Sequence, residues 1–270
     1  MPIPFDEFKV KMATVKTHFD NLKKFGSKSI SDSVYYEIGA GYDMAIPISL
    51  SLLGFSKLIC VDVRKLTFID LLNDTLEKIK KLNDAEIRLS VEQKKIVFTK
   101  RNFSEALQKF FKIDYRAPLD ARRTNMKEGS INYSITNAVL EHIPEDILYD
   151  IMKETYRVLD TGGIMSNIID YRDHFAYFDS KINFYNYLTF TNAEWEKLNP
   201  SIMFQNRLRH RDYVKMAEDI GFEIVKNDTT SPDENLFEDL KKMKISTEFT
   251  QKYSFDEMKI LGSQLVLRKP

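Results

Sequence analysis

The sequence contains a single cysteine, Cys60, which excludes any intramolecular disulfide framework. Its place in the apolar run Lys57-Leu-Ile-Cys-Val61 reads as a buried strand residue rather than a reactive thiol. Net charge is also lacking. Lys plus Arg and Asp plus Glu number 40 each, so no global basic field exists to draw in nucleic acid, and a small-molecule partner is favoured. No run approaches the roughly 20 consecutive apolar residues that span a bilayer. Asp6 and Glu7 stand before any apolar run, and a cytoplasmic, reducing setting without membrane attachment is therefore expected. Repeats and low-complexity tracts are absent. At 270 residues the chain is long enough for one large α/β domain with additions.

Hydrophobic spacing lays out the elements. Phe5, Phe8, Met12, Val15, Phe19 and Leu22 recur at helical intervals, predicting an amphipathic helix over 5 to about 25 that stops at Gly26. Strands follow at 34–38 and 57–61, with a buried helix over 43–53 between them that carries Pro47 in its early turns. Helices are expected over about 66–82 and 104–111, then strands at 112–116 and 131–136. Pro144 opens a helix that Gly162 and Gly163 should end, before a strand at 164–169. An aromatic-rich stretch covers 171–195, a helix 211–220, and two closing strands 222–226 and 263–268, with a helical insertion between those strands. Alternating strand and helix implies parallel pairing through right-handed crossovers. The expected fold is α/β: a doubly wound, Rossmann-like, mostly parallel seven-stranded sheet in one domain. Residues 1–30 supply an N-terminal helix, 31–170 a cofactor-binding half, 171–262 a helical and aromatic lid, and 263–270 the closing strand.

The chemistry begins at Val34-Tyr-Tyr-Glu-Ile-Gly-Ala-Gly-Tyr-Asp43, a strand that ends in an acid and opens into a Gly-x-Gly turn before an apolar helix. Gly39 and Gly41 allow positive φ and close approach of a ligand to the main chain. Asp62, at the end of the next strand, is placed to accept hydrogen bonds from ribose hydroxyls. A dinucleotide-binding turn competes with this reading. It wants a small residue where Met44 stands, and Glu37 would meet a pyrophosphate with like charge, whereas a cofactor bearing an amino group suits Glu37.

The pattern Glu37-x-Gly39-x-Gly41 with Asp62 resembles the first two motifs of class I S-adenosylmethionine-dependent methyltransferases, with Asp43 where the family often has a third glycine. Ser134-Ile-Thr-Asn-Ala-Val-Leu-Glu-His-Ile143 and Glu154-Thr-Tyr-Arg-Val-Leu-Asp-Thr-Gly-Gly163 are similar to the family's fourth-strand and fifth-helix motifs, in family order and spacing over 33–170. The resemblance implies S-adenosylmethionine as cofactor. By it, Gly39, Ala40 and Gly41 approach the methionyl part, Glu37 supports the amino group or the loop, and Asp62 with Val63 holds the ribose. Asp120 and Ala121 address the adenine, while Asn137 lies beneath the methionyl group and His142 nearby. Each has a plainer reading, as a strand-end carboxylate capping a helix or as a loop-shaping hydrogen-bonder; Glu141, with Asn137 and His142, could simply shape the loop.

Methyl transfer from a sulfonium is an in-line displacement that needs alignment and, for a hydroxyl acceptor, a base. Asp170-Tyr-Arg-Asp-His174 follows the strand whose end should lie beside the cofactor. His174 is the candidate base, oriented by Asp170 or Asp173; the alternative is that Asp173 and His174 merely start a helix. The Asp, Asp and Asn pattern of metal-dependent catechol-type enzymes is not reproduced, so no metal is expected. Arg207, Arg209, His210 and Arg211 form the densest cationic cluster and suit phosphate. With Tyr177 and the aromatic lid, they suggest a phosphorylated or nucleotide-linked acceptor, methylated on a hydroxyl or phosphoryl oxygen. The segment from Asp173 to His210 is also similar to methyltransferases of bacterial surface-polysaccharide biosynthesis, which implies a sugar or capsule precursor. No Asp/Asn-Pro-Pro-aromatic motif follows the fourth strand, which disfavours nucleic-acid amine methylation. Three other readings stay open: a cofactor-binding regulatory subunit without turnover, an NAD-dependent oxidoreductase, and assembly as a homodimer.

Overall fold

The computed structural model describes residues 2–270. Its elements in chain order are α1 (Phe5–Phe25), β1 (Val34–Ile38), α2 (Ala45–Leu52), β2 (Lys57–Val61), α3 (Ile69–Leu82), α4 (Phe103–Phe111), β3 (Ile113–Arg116), β4 (Ile131–Asn137), α5 (Glu145–Val158), β5 (Leu159–Asp170), α6 (Asn192–Leu198), α7 (His210–Ile220), β6 (Glu223–Thr230), α8 (Glu234–Lys242), α9 (Thr247–Thr250), α10 (Phe255–Met258) and β7 (Gly262–Arg268). The strands form one seven-stranded sheet in the order β3-β2-β1-β4-β5-β7-β6. β1 runs parallel to β2 and to β4, and β2 runs parallel to β3. This is the Rossmann-like, mostly parallel arrangement expected. The chain divides into two compact units: one comprises the chain through Ile135 with Lys153–Ser166 and Arg268–Pro270, the other Thr136–Met152 with Asn167–Leu267.

In the first unit, α1 buries Phe8, Met12, Val15 and Leu22, the residues its periodicity selects, and packs on α2. Removing each such side chain from water contributes about 2 kcal/mol. The polar residues His18 and Asn21 on the same helix are buried too, and both reach the Ser166 hydroxyl, at 2.9 and 3.2 Å. β1 is buried on both faces, as a central parallel strand requires, with Tyr35 and Tyr36 fully enclosed. The turn after it differs from a glycine-rich phosphate loop. Asp43 Oδ1 accepts the Ala45 N–H at 3.0 Å and pairs with Lys11 Nζ at 2.8 Å. An N–H in the first turn of α2 is thus already satisfied by an acid, whose charge would oppose a pyrophosphate there.

One boundary departs from the expectation. Gly162 and Gly163 do not end α5. The helix stops at Val158 and passes directly into β5, where the Gly162 N–H donates to Lys269 O at 2.8 Å and the Lys269 N–H to Gly163 O at 3.0 Å. The two glycines are strand residues, paired with the end of the chain.

The second unit has its own core of Tyr185, Tyr187, Leu188, Trp195, Phe249 and Tyr253, with Leu240 and Met258 beside them. The aromatic stretch expected to form an acceptor lid is mostly the hydrophobic centre of this unit. Aromatic side chains bury large areas, and the insertion helices α8, α9 and α10 supply the Leu240, Phe249 and Met258 that complete the cluster. Tyr177 and Phe178 are the exceptions, at 48% and 78% exposed.

Gly26 offers a stability test within the first unit. A Cβ there falls 2.2 Å from Cε1 of Tyr133 and 2.6 Å from Leu22 O, and the ring is pinned by its hydroxyl, which donates to Lys28 O at 2.5 Å. Gly26→Ala is expected to lower the unfolding free energy by roughly 1–3 kcal/mol in urea denaturation; an unchanged midpoint would contradict this packing.

Candidate active site

The first unit gathers the glycine turn and the two acids of the cofactor motif. Gly39 and Gly41 have φ of 80° and 75°, and a Cβ added at Gly41 would meet no atom within 4 Å. The turn is open there and its backbone is accessible. Gly39 N–H donates to Val61 O at 2.9 Å, which ties the turn to β2. Asp62 Oδ2 accepts the Ala40 N–H at 3.1 Å, and its backbone carbonyl accepts from Leu119 N–H at 2.8 Å. Asp62 is mostly buried, and burial raises its carboxyl to about 6 against the pull of the Ala40 N–H. Val63 beside it is exposed.

Glu37 is only 1% exposed. Its Oε2 accepts from the Tyr35 hydroxyl at 2.8 Å and sits 3.8 Å from Cys60 Sγ. Burial pushes its carboxyl to about 8, and the charge of Asp62 adds to the rise, opposed by the Tyr35 hydroxyl and by Lys11. Asp120 is half-exposed and forks onto Arg122 at 2.7–3.1 Å; that hydrogen-bonded pair holds its carboxyl below the ordinary value. Ala121 beside it is buried.

The second unit brings a separate polar cluster together from the ends of β4 and β5. Asn137 ends β4, and Glu141 and His142 lie in the short 3₁₀ turn Leu140–His142 after it. Glu141 is 1% exposed. Its Oε1 accepts the Asp170 N–H at 3.3 Å, its Oε2 is buried with no hydrogen-bond partner, and burial raises the carboxyl to about 8. His142 lies at the surface with Nδ1 2.8 Å from Phe204 O; burial of part of the ring lowers its pKa. The rings of His142 and His174 are 4.9 Å apart, nearly edge to face.

Asp170, at the end of β5, is the hub. Arg172 forks onto it at 2.8 and 2.9 Å, the Tyr177 hydroxyl donates to it, and His174 Nε2 stands 3.5 Å from its Oδ2. Burial alone would raise this carboxyl, but His174, Arg172 and Tyr177 hold it well below the usual carboxylate range. The 3.5 Å separation, with His174 Nε2 lacking a geometric hydrogen bond, makes Asp170 an electrostatic neighbour of the imidazole rather than its hydrogen-bonded partner.

Other sequence candidates take structural places. Asp173 does not orient His174. It is fully buried, and its carboxylate accepts the Phe175 N–H at 2.9 Å and Asn186 Nδ2 at 3.2 Å, starting the 3₁₀ turn His174–Tyr177. Arg209 and His210 do not present themselves to phosphate, and Arg207, at the wall of a cavity, has both terminal nitrogens on protein oxygens. Arg209 is fully buried, with Nη1 on Tyr171 O and the Tyr187 hydroxyl at 2.9 and 2.6 Å, and Nη2 on Met258 O at 2.7 Å and on Ile260 O. Arg207 donates to Tyr187 O, Phe190 O and Asn192 Oδ1 at 2.5–2.9 Å. His210 Nδ1 lies 3.2 Å from the Tyr171 hydroxyl. The two arginines stitch loops whose carbonyls would otherwise be buried unpaired. A cavity of about 350 Å³ in this unit is lined by Trp195, Phe204, Arg207, Glu248, Phe249 and Tyr253. It lacks the Asp170 cluster.

Sequence reasoning missed Arg172 and Gln205. Gln205 Oε1 accepts the His174 N–H at 3.2 Å and its Nε2 donates to Arg172 O at 2.5 Å, fixing both residues around Asp170. No local pattern marks a glutamine that acts from 31 residues away.

No family model matches the sequence, and no curated protein is significantly similar to it. Solved structures do match. Geranyl diphosphate C-methyltransferase from Streptomyces coelicolor, in complex with Mg²⁺, geranyl diphosphate and S-adenosyl-L-homocysteine, aligns over 97% of this chain and 78% of its own, with 12% identity and a TM-score of 0.54. A SAM-dependent methyltransferase from Methanosarcina mazei aligns over 92% and 96%, with 15% identity and a TM-score of 0.53. The [4+2]-cyclase SpnF aligns over 96% and 82%, with 12% identity and a TM-score of 0.52. The chain has the fold of class I methyltransferases.

Two outcomes follow from the site's electrostatics. Arg209→Met should cost on the order of 3 kcal/mol of stability by orphaning buried carbonyls, measured by denaturant unfolding; a substrate-binding arginine would leave stability unchanged. For Glu37 the folded value of about 8 lies above the unfolded 4.5, so the folded state holds the extra proton and stability falls as pH rises through that window. Glu37→Gln should gain on the unsubstituted protein between about pH 5 and 8.5, on the order of 1–3 kcal/mol by thermal unfolding without ligand.

Proposed function

We propose that the protein is an S-adenosylmethionine-dependent methyltransferase acting on an oxygen of a small-molecule acceptor. The observation that carries the proposal is the pair of buried acids, Glu37 and Asp62, set around the open, positive-φ Gly39–Gly41 turn at the ends of β1 and β2. The residues fit the cofactor. Gly39, Ala40 and Gly41 would pass beneath its methionyl part, Glu37 would face its ammonium, and Asp62 with Val63 would take the ribose hydroxyls. A cation beside Glu37 would relieve the burial that now raises its carboxyl. Asp120, already ionised by Arg122, would accept from the adenine amine next to Ala121. The bound cofactors of the geranyl diphosphate enzyme support this reading.

S-adenosylmethionine supplies a methyl group on a sulfonium leaving group: the acceptor O–C bond forms as the S–C bond breaks, and the hydroxyl proton must leave. His174 takes that proton in this proposal, with the ionised Asp170 at 3.5 Å favouring the imidazolium that results. Asp170 is in turn held by Arg172 and the Tyr177 hydroxyl, and the exposed Tyr177 ring offers a face for the acceptor. His142, its ring 4.9 Å from that of His174, closes one side of the same cluster, and Asn137 ends β4 just before the turn that carries it. With Arg207, Arg209 and His210 committed to the protein itself, the acceptor is identified by its hydroxyl and not by a phosphate.

The cyclase among the similar structures keeps a second reading in view, a chain that binds the cofactor without methyl transfer. The test is S-adenosylhomocysteine binding by calorimetry, followed by turnover of S-adenosylmethionine against hydroxylated metabolites. Binding should weaken about 10- to 100-fold in Asp62→Ala, the loss of one to two good hydrogen bonds, and turnover should collapse in His174→Ala with binding intact. Binding without turnover on any acceptor would favour the second reading, and no binding would overturn both.

A further inference from the structure

We propose that Glu141, His142 and His174 form a binding site for one divalent transition-metal ion of the Zn²⁺, Fe²⁺ and Co²⁺ type. Each offers one ligand atom, and the three atoms lie within 4.8 Å of one another. Two buried atoms of the set, Glu141 Oε2 and His174 Nε2, have no hydrogen-bond partner, although His174 Nε2 stands 3.5 Å from Asp170 Oδ2. Native proteins rarely leave such atoms unpaired without a ligand to satisfy them.

The support around these atoms suits metal binding. His142 Nδ1 faces the Phe204 carbonyl at 2.8 Å. A carbonyl only accepts, so Nδ1 carries the hydrogen and Nε2 presents its lone pair, the tautomer that a metal-binding imidazole adopts over a backbone carbonyl. The Asp170 N–H fixes Glu141 Oε1 at 3.3 Å, and Gln205 fixes the His174 backbone at 3.2 Å. His142 is at the surface, which provides an entry path and room for water or an acceptor oxygen on the ion. Two imidazoles and one carboxylate select borderline transition metals, whereas Mg²⁺ and Ca²⁺ prefer all-oxygen sites. Around an ion with bonds of about 2.0–2.2 Å, ligand atoms stand roughly 3–3.5 Å apart. The widest separation, 4.8 Å, must therefore close by roughly 1.3–1.8 Å, within reach of rotation about the two histidine side chains.

A metal held here uses the His174 lone pair. Metal-loaded and base-competent are then exclusive states of this residue, and loading is expected to suppress the turnover proposed above. The metal site itself does not rest on that reading.

The chain has four histidines, at 18, 142, 174 and 210, and His18 and His210 are buried elsewhere. Chelator-treated, full-length protein labelled with ¹⁵N in its imidazoles would be titrated with Co²⁺ and separately with Zn²⁺ in NMR. The expected result is one equivalent bound, with the His142 and His174 signals moving and the other two at most slightly perturbed. Glu141→Gln should weaken Zn²⁺ binding about tenfold or more. No binding at a several-fold excess of ion, or binding centred on His18 or His210, would overturn the proposal, and the unsubstituted protein suffices for that decision if the variant fails to fold. S-adenosylhomocysteine binding measured on the same sample reports on the methyl-transfer reading separately.

Discussion

Burying a carboxyl group without a cation beside it is costly, and this structure does so twice. Glu37 at β1 and Glu141 after β4 are each 1% exposed, and burial brings each carboxyl to about 8. A carboxylate in so dry a place is stable only if charge or hydrogen bonds compensate it; otherwise it holds its proton. Around Glu37 the compensation is the Tyr35 hydroxyl, with Lys11 engaged on Asp43. Around Glu141 it is two backbone N–H groups, its own and that of Asp170, with the charge of Arg172. Both arrangements are incomplete, and the account of function follows from what would complete them: a cationic cofactor group in the first unit and a metal ion in the second.

Asp170 shows the opposite solution. It is also largely buried, yet Arg172, Tyr177 and His174 surround it and keep it ionised. One unit therefore holds one acid pushed up by burial and one held down by its partners, linked by the Asp170 N–H. Two titratable groups driven apart by their surroundings are a common mark of a site that does chemistry. Arg209 supplies the rigidity. With four oxygen acceptors on its two terminal nitrogens, it joins the carbonyls of β5's end to those near α10, and so holds the segment from which Asp170 and His174 project.

Much of the fold was legible because the signals were local. The spacing of Phe8, Met12, Val15 and Leu22 located α1, and apolar runs located β1, β2 and β4. Gly162 and Gly163 misled because a glycine pair after a helix reads as a stop, while here their partner strand is the chain's last residues, a contact with no local trace. At the site, Glu37, Gly39, Gly41 and Asp62 stood in a recognisable order, and the structure brings them together. The arginines illustrate what residue type cannot reveal. Arg207 and Arg209 looked like anion ligands, but whether a guanidinium meets a phosphate or a set of backbone carbonyls depends on burial. The same limit left Glu141 as a loop-shaping candidate, since a glutamate before a histidine looks identical whether it faces water or the core, and its closeness to His174 spans 33 residues of chain.

The most direct test is the infrared carbonyl stretch of protonated carboxylic acids in the ligand-free protein near pH 7, recorded as a difference spectrum on adding S-adenosylhomocysteine. The account predicts a buried carboxylic acid band that diminishes as Glu37 ionises against the cofactor's ammonium, and that this change is missing in Glu37→Gln. A spectrum in which the cofactor binds with no carboxylic acid signal lost, or with the same loss in Glu37→Gln, would contradict it.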